Sequence, residues 1–388
     1  MSEASMLKEF LELVQIPVQS RDERKIADVV KQKLIDLGLT VEEDNAGEKL
    51  GGNTGNLIGR LAGAPDVPSI LLSAHLDRVR NPGAIHPVVN EAEDLIKSDG
   101  TSILAADDVS GLCAVLDGLR RVQESGKPHG PVEVIFSVCE EVGVQGSGQL
   151  DFSKLKSKQA FVFDAPGRIG RIINQAPTKC KIEIKVHGIK AHAGNEPEKG
   201  LSAIRVAADA IMHLQEGRIT PTVVSNIGVI KGGTGTNVVP DLCEMTAEAR
   251  STDDTSLEKY LEGFKATFAE TAKRWNTPID VNIKTLYHTF FVDLQSEIVS
   301  TAMDALKTVG VEGWCERGGG GMDGNHFNWN GIQAIGLALG YSKNHTNAEQ
   351  IYMTDLFKGG QVAAEIIHRT YEKAGSCGER TGKGRGVR

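Results

Sequence analysis

The run from Val132 to Val138 is almost wholly apolar and stops on two adjacent carboxylates, Glu140 and Glu141. An apolar run without alternation marks a strand covered on both faces, and such strands belong to parallel sheets flanked by helices. "SILLSAHLD", "QAFVFDAP" and "IQAIGLALG" are further runs of this kind. Helical periodicity separates them. In "AADDVSGLCAVLDGLRRVQESG" a helix starts at Asp107 and Asp108, and Val109, Leu112, Cys113, Leu116, Leu119 and Val122 share one face. Nearer the start, Leu7, Phe10, Leu11 and Val14 recur at helical spacing. Ser20 and Glu23 form a capping-box pattern ahead of a second helix with Ile26, Val29, Val30, Leu34 and Leu37 inward. Alternating strands and helices predict an α/β domain built on a mostly parallel sheet.

From about residue 178 the rhythm changes. "KCKIEIKVHG" alternates as a half-exposed strand, and the order from there is β-α-β-β-α-β, the split, ferredoxin-like pattern of a small separate domain. After it the first rhythm resumes. The expected layout is a main α/β domain over 1–177 and 291–375, an inserted domain over 178–290, and a Gly-rich, basic, disordered tail over 376–388, with the last helix near 353–374.

Lys plus Arg number 43 and Asp plus Glu 51, a net charge of −8, which argues against a nucleic-acid or anionic-membrane partner. No apolar stretch reaches the ~20 residues of a membrane span. The start, "MSEASMLKEFLELV", is acidic and amphipathic and lacks a secretory pattern, so a cytoplasmic location is expected. The six cysteines form no C-x-x-C pair and read as buried, reduced thiols.

The polar residues sit where the apolar strands stop. His75 and Asp77 end "SILLSAHLD", Glu140 and Glu141 end "VEVIFSVCEE", Asp164 ends "QAFVFD", and His345 follows "IQAIGLALGYSKN". Open parallel sheets bind ligands beyond the carboxyl ends of their strands. Imidazoles and carboxylates without thiolates suit Zn²⁺, or Mn²⁺ and Co²⁺, in a catalytic site. Charge points to two divalent ions, whose four positive charges balance Asp107, Glu141, Asp164 and one hydroxide, with Glu140 beside them as a base. Residues i and i+2 of a strand share a face, so Asp77 is placed to accept from the His75 nitrogen that is not on the metal.

At these residues the chain resembles the dizinc peptidase family that includes peptidase T, carboxypeptidase G, aminoacylase and succinyl-diaminopimelate desuccinylase, and peptidase T most of all. The likeness runs from about residue 5 to 374 through "SAHLDRV", "SILAADD", "CEEVGVQGS", "FDAPG", "GIKAHAGNEPEKGLSAI", "GGTGTNVVPD", "AEARS", "GGGGMDGN" and "LGYSKNHT". It implies that His75 and Asp164 bind one metal, Glu141 and His345 the other, and that Asp107 bridges them with a cis peptide to Asp108. It also implies that Glu140 is the general base and Asp77 the orienter of His75. The inserted domain would be a lid and dimerisation domain, making the protein a homodimer. From it His192 would reach the partner subunit's site to stabilise the oxyanion. Asn237, Arg250 and Gly320 would touch a short peptide substrate. Three departures bear on the substrate pocket: Val109 where the family commonly has Lys, Met322 where many relatives have Ser, and Arg78 and Arg80 where Thr and Pro are frequent. The expectation is a tripeptidase-like aminopeptidase. A dipeptidase, carboxypeptidase or N-acyl-amino-acid amidohydrolase of the same family stays open, as does a non-catalytic metal-binding dimeric paralogue.

Overall fold

The computed structural model describes residues 3–81 and 83–382, with side chains as far as 375. The chain divides into two compact units, residues 1–176 with 290–388, and residues 177–289.

In the first unit the strands Val132–Ser137, Ile70–His75, Gln159–Ala165 and Gln333–Ala338 lie side by side and parallel. They form the middle of a nine-stranded sheet. Thr40–Glu43 and Leu57–Leu61 extend one edge antiparallel. Arg171–Ala176 pairs antiparallel with Gln333–Ala338 on the other side and carries Phe290–Phe291 and Trp314–Arg317. The parallel centre follows from its composition. Every residue of Ile70–His75 and Val132–Ser137 is buried. Leu72, Val134, Phe136, Phe161 and Phe163 enter one apolar cluster, and their neighbours Leu71, Ile135, Ala160 and Val162 enter another on the opposite face. Burying such a side chain contributes about 1.5–3 kcal/mol before entropy is counted. The helices Ala106–Ser125, Glu297–Thr308 and Met353–Gly382 pack together on the first face, and the short Asp323–Trp329 helix covers the second. Gly111 permits the close approach: a Cβ there would stand 2.1 Å from the Phe163 carbonyl oxygen.

The second unit has one five-stranded antiparallel sheet. Its four long strands run in the spatial order Val223–Gly232, Leu242–Ser251, Thr178–His187, Ile279–Tyr287, the ferredoxin-like arrangement. Cys180, Ile182, Ile184 and Val186 point inward toward the helices Ala203–Met212 and Asp254–Trp275, while Lys181, Glu183 and Lys185 are exposed.

Several local expectations are corrected. The second helix spans Arg24–Asp36 and Glu23 makes no side-chain cap, because Ser20 and Glu23 are drawn elsewhere, as described below. Val29 is 39% exposed rather than inward. The last helix continues to Gly382, past the boundary at 375; residues 383–388 of the expected tail lie outside the described residues. Cys113, Cys139, Cys180 and Cys243 are free and buried, and Cys315 is half-buried. No helix of the described residues is long and apolar enough to cross a membrane.

Candidate active site

The parallel strands of the first unit converge their polar ends on one rim. His75 is the last residue of its strand and is 1% exposed. Its Nδ1 meets the main-chain carbonyl of Asp77 at 2.9 Å. A carbonyl only accepts, so Nδ1 carries a proton and Nε2 is the nitrogen turned to the carboxylates. Nε2 lies 3.2 Å from Asp107 Oδ1 and 3.7 Å from Asp164 Oδ1. The orienting contact expected of the Asp77 side chain thus comes mainly from its main chain; the carboxylate is 3.5 Å from Nδ1. That carboxylate instead holds the next strand end. Glu140 N–H donates to its Oδ1 at 2.8 Å, and Glu141 N–H and Ser20 Oγ donate to its Oδ2 at 3.2 and 2.6 Å. Glu23 completes this support: Arg21 N–H and Cys139 N–H both donate to its Oε1.

Asp107 and Asp108 divide their work. The peptide bond between them is cis, as the family likeness implies. Both have non-helical backbone angles, so the regular helix begins after them. Asp108 caps it, its Oδ1 accepting from Gly111 N–H at 3.0 Å and its Oδ2 from His75 N–H at 3.1 Å. Asp107 points to the rim, where Oδ2 is 3.3 Å from His345 Nε2 and accepts from Asn344 Nδ2 at 2.7 Å. His345 Nε2 also lies 2.9 Å from Glu141 Oε2. Tyr341 Oη donates to Asp164 Oδ1 at 3.1 Å.

All five expected ligands and Glu140 are therefore brought together. His75, Asp107 and Glu141 offer ligand atoms within 4.8 Å of one another, and so do His75, Glu140 and Asp164. The cationic partners of these carboxylates are the two imidazoles. Burial pushes the carboxyls of Glu140, Asp164 and Asp108 well above the ordinary range and that of Glu141 upward, and mutual repulsion adds to it. For Asp107 burial acts the same way, but His345 and His75 outweigh it and hold the group low. Conversely, Asp107 and Glu141 raise His345 to about 10. Burial opposes the charge of His75, yet Asp164, Asp107 and Asp77 keep its pKa well above the usual imidazole range. A rim so rich in buried negative charge calls for cations. Glu141 Oε1, buried and without a hydrogen-bond partner, is an oxygen that a metal ion would satisfy. Nitrogen and carboxylate oxygen donors fit Zn²⁺, Mn²⁺ or Co²⁺.

Beyond the rim opens a cavity of about 250 Å³ walled by Arg171, Ile173, Met322, Tyr341 and the Gly318–Gly321 loop. Gly320 lines it, and a Cβ there would meet no protein atom within 4 Å. Met322 also lines it, whereas Arg78 turns away: it is 3% exposed and donates to the carbonyls of Val14 and Ile16, tying down the first helix.

In the second unit His192 lies in a two-residue strand paired with Val238–Val239 and is exposed. Gly194 and Asn195 N–H both donate to its Nδ1 at 3.1 Å, so Nε2 bears the proton and is free to donate. Asn237 belongs to the same loop pair, its carbonyl accepting from Ala193 N–H. Arg250 Nε donates to Glu248 at 2.8 Å.

Sequence reasoning missed Ser20, Glu23, Tyr341, Asn344 and Glu349 as site residues. Tyr341 and Asn344 lie within "LGYSKNHT", so their closeness to His345 was the available signal.

The peptidase dimerisation domain family matches residues 178–276, and peptidase family M28 matches residues 56–217. An uncharacterized protein of Bacillus subtilis, YqjE, is 37% identical over 94% of this chain and 98% of its own length. Aminopeptidase PepT from Bacillus cereus is 35% identical with a TM-score of 0.84, covering 96% of this chain and 99% of that one. A tripeptidase from Staphylococcus aureus is 33% identical with a TM-score of 0.89, at the same coverage. The sheet, the inserted domain and these likenesses agree: the chain belongs to the peptidase T-like branch of the M20 metallopeptidases.

Proposed function

We propose that this metallopeptidase is a two-metal aminopeptidase acting on short peptides, with tripeptides as the expected substrate length. The observation that carries the reading is the convergence of His75, Asp107, Glu141, Asp164 and His345 around the buried Glu140. In this reading His75 and Asp164 would hold one divalent cation and Glu141 and His345 the second, with Asp107 available to both. Zn²⁺ is the first choice on donor chemistry, with Mn²⁺ and Co²⁺ as substitutes. Bound there, the cations would supply Lewis acidity toward the scissile carbonyl and toward water.

Glu140 takes the proton of the attacking water and returns it to the leaving amine. Its main-chain N–H is fixed on the Asp77 carboxylate, which holds the residue at the rim. His192 donates a hydrogen bond from its Nε2–H to the oxyanion of the tetrahedral intermediate, from the partner subunit of a homodimer formed through the second unit. Asn237, Arg250 and Gly320 contact the peptide.

Turnover of tripeptides with free and with acetylated N-termini, each with Zn²⁺, Mn²⁺ or Co²⁺ supplied, tests the assignment. Free termini should be cleaved faster by at least about tenfold, equivalent to ~1.4 kcal/mol. Equal rates would replace the aminopeptidase reading with an acyl-amino-acid amidohydrolase.

A further inference from the structure

Three hydrogen bonds fix the approach to Asp107, and all three end on one side chain. Leu104 and Ala105 donate their N–H groups to Glu349 Oε2 at 2.9 Å each, and Asp107 donates its own to Oε1 at 3.1 Å. Glu349 is 1% exposed and lies four residues beyond His345, 242 positions from Asp107. The segment it grips lacks helical support. Ala105 stands at φ +61°, and Asp107 and Asp108 have non-helical backbone angles. A non-glycine residue in the left-handed region is strained and persists only where its surroundings over-determine it. The other end of the tie is similarly placed, with Lys343 and His345 at φ +56° and +63°.

We propose that Glu349 is a positioning residue for the metal pair. Its carboxylate clamps the main chain of Leu104–Asp107 to the loop that carries His345. The clamp keeps Asp107 Oδ1 turned to His75 and Oδ2 turned to His345, and so sets how the two cations share the bridge. This rests on the two-metal reading above. The clamp uses both oxygens of the carboxyl group as acceptors, Oε2 for two N–H groups and Oε1 for the third. An amide offers one acceptor and would face at least one N–H with its own NH₂.

The test is titration of metal-free protein with Zn²⁺ by calorimetry and with Co²⁺ by visible absorption, for the wild type and for Glu349→Gln. The Gln variant should bind the bridged pair about 10–100-fold more weakly, the range for losing support of a metal ligand. Its metal-free far-UV dichroism should match the wild type. Two ions bound at wild-type affinity by the Gln variant would overturn the proposal. A wild type that takes up no pair would instead overturn the two-metal reading itself. Should Glu349→Gln not fold, Glu349→Asp decides by the same titration. It keeps the charge but is one methylene too short for all three donors, so weakened binding supports the clamp and wild-type affinity overturns it.

Discussion

The two sheets of this chain bury their strands differently. Ile70–His75 is buried at every position, whereas Thr178–His187 alternates between buried and half-buried or exposed residues. A strand covered on both faces has no exposed flank to spare for chemistry, so its ends are where imidazole and carboxylate groups reach open space, and four such strands stop on one rim. A strand covered on one face carries its charges along its length, as Lys181, Glu183 and Lys185 do, and the side chains proposed to act from this unit lie between its long strands, His192 in a two-residue strand and Asn237 beside that strand's partner. The first arrangement makes a rigid, deeply buried centre. The second makes an accessible one.

The sharpest way to break this contrast is at the rim. Glu140→Gln should lower kcat by about 100- to 10,000-fold, the span of general acid–base contributions, with KM little changed. A variant turning over at the wild-type rate would remove Glu140 from the chemistry. A matched pair of truncations compares the sheets themselves. Phe161→Ala, at a position 0% exposed, should cost about 3–5 kcal/mol in urea denaturation. Lys185→Ala, whose side chain is 57% exposed and faces Glu244, should change stability by no more than about 0.5 kcal/mol. Similar losses at the two sites would contradict the difference in burial.

His192→Ala should slow kcat by about 100- to 1,000-fold, the effect of losing one oxyanion donor. Subunit mixing sharpens this prediction. A hybrid of a His192→Ala chain with a Glu140→Gln chain regains one complete site if His192 acts across the dimer. Recovery well above either parent is expected; none would return His192 to its own chain's site.

The strand ends were legible in sequence because several apolar strands stop on imidazole or carboxylate groups at once, as at His75, Asp164 and the Glu140–Glu141 pair. The inserted domain was legible from its alternation. What escaped were contacts across long separations. Ser20 and Glu23 carry the spacing of a helix cap, yet their oxygens serve Asp77 and Cys139, 57 and 116 positions away. Local spacing cannot encode such partners. The same limit hid Glu349, and it let Arg78 pass for a pocket residue when its guanidinium closes the first helix. Asp77 shows a subtler failure: the i, i+2 geometry brought it to His75, but its main-chain oxygen won the contact because its carboxylate was already engaged by the Glu140 and Glu141 amides.

The most direct test of the paired-cation centre is the number of divalent ions bound per chain, by elemental analysis and calorimetry, in the wild type, Glu140→Gln and Asp107→Asn. Two ions are expected in the wild type and in Glu140→Gln, and a loss of about 10-fold or more in affinity for the pair in Asp107→Asn. One ion or none in the wild type, or two held undiminished by Asp107→Asn, would contradict a bridged pair at this rim.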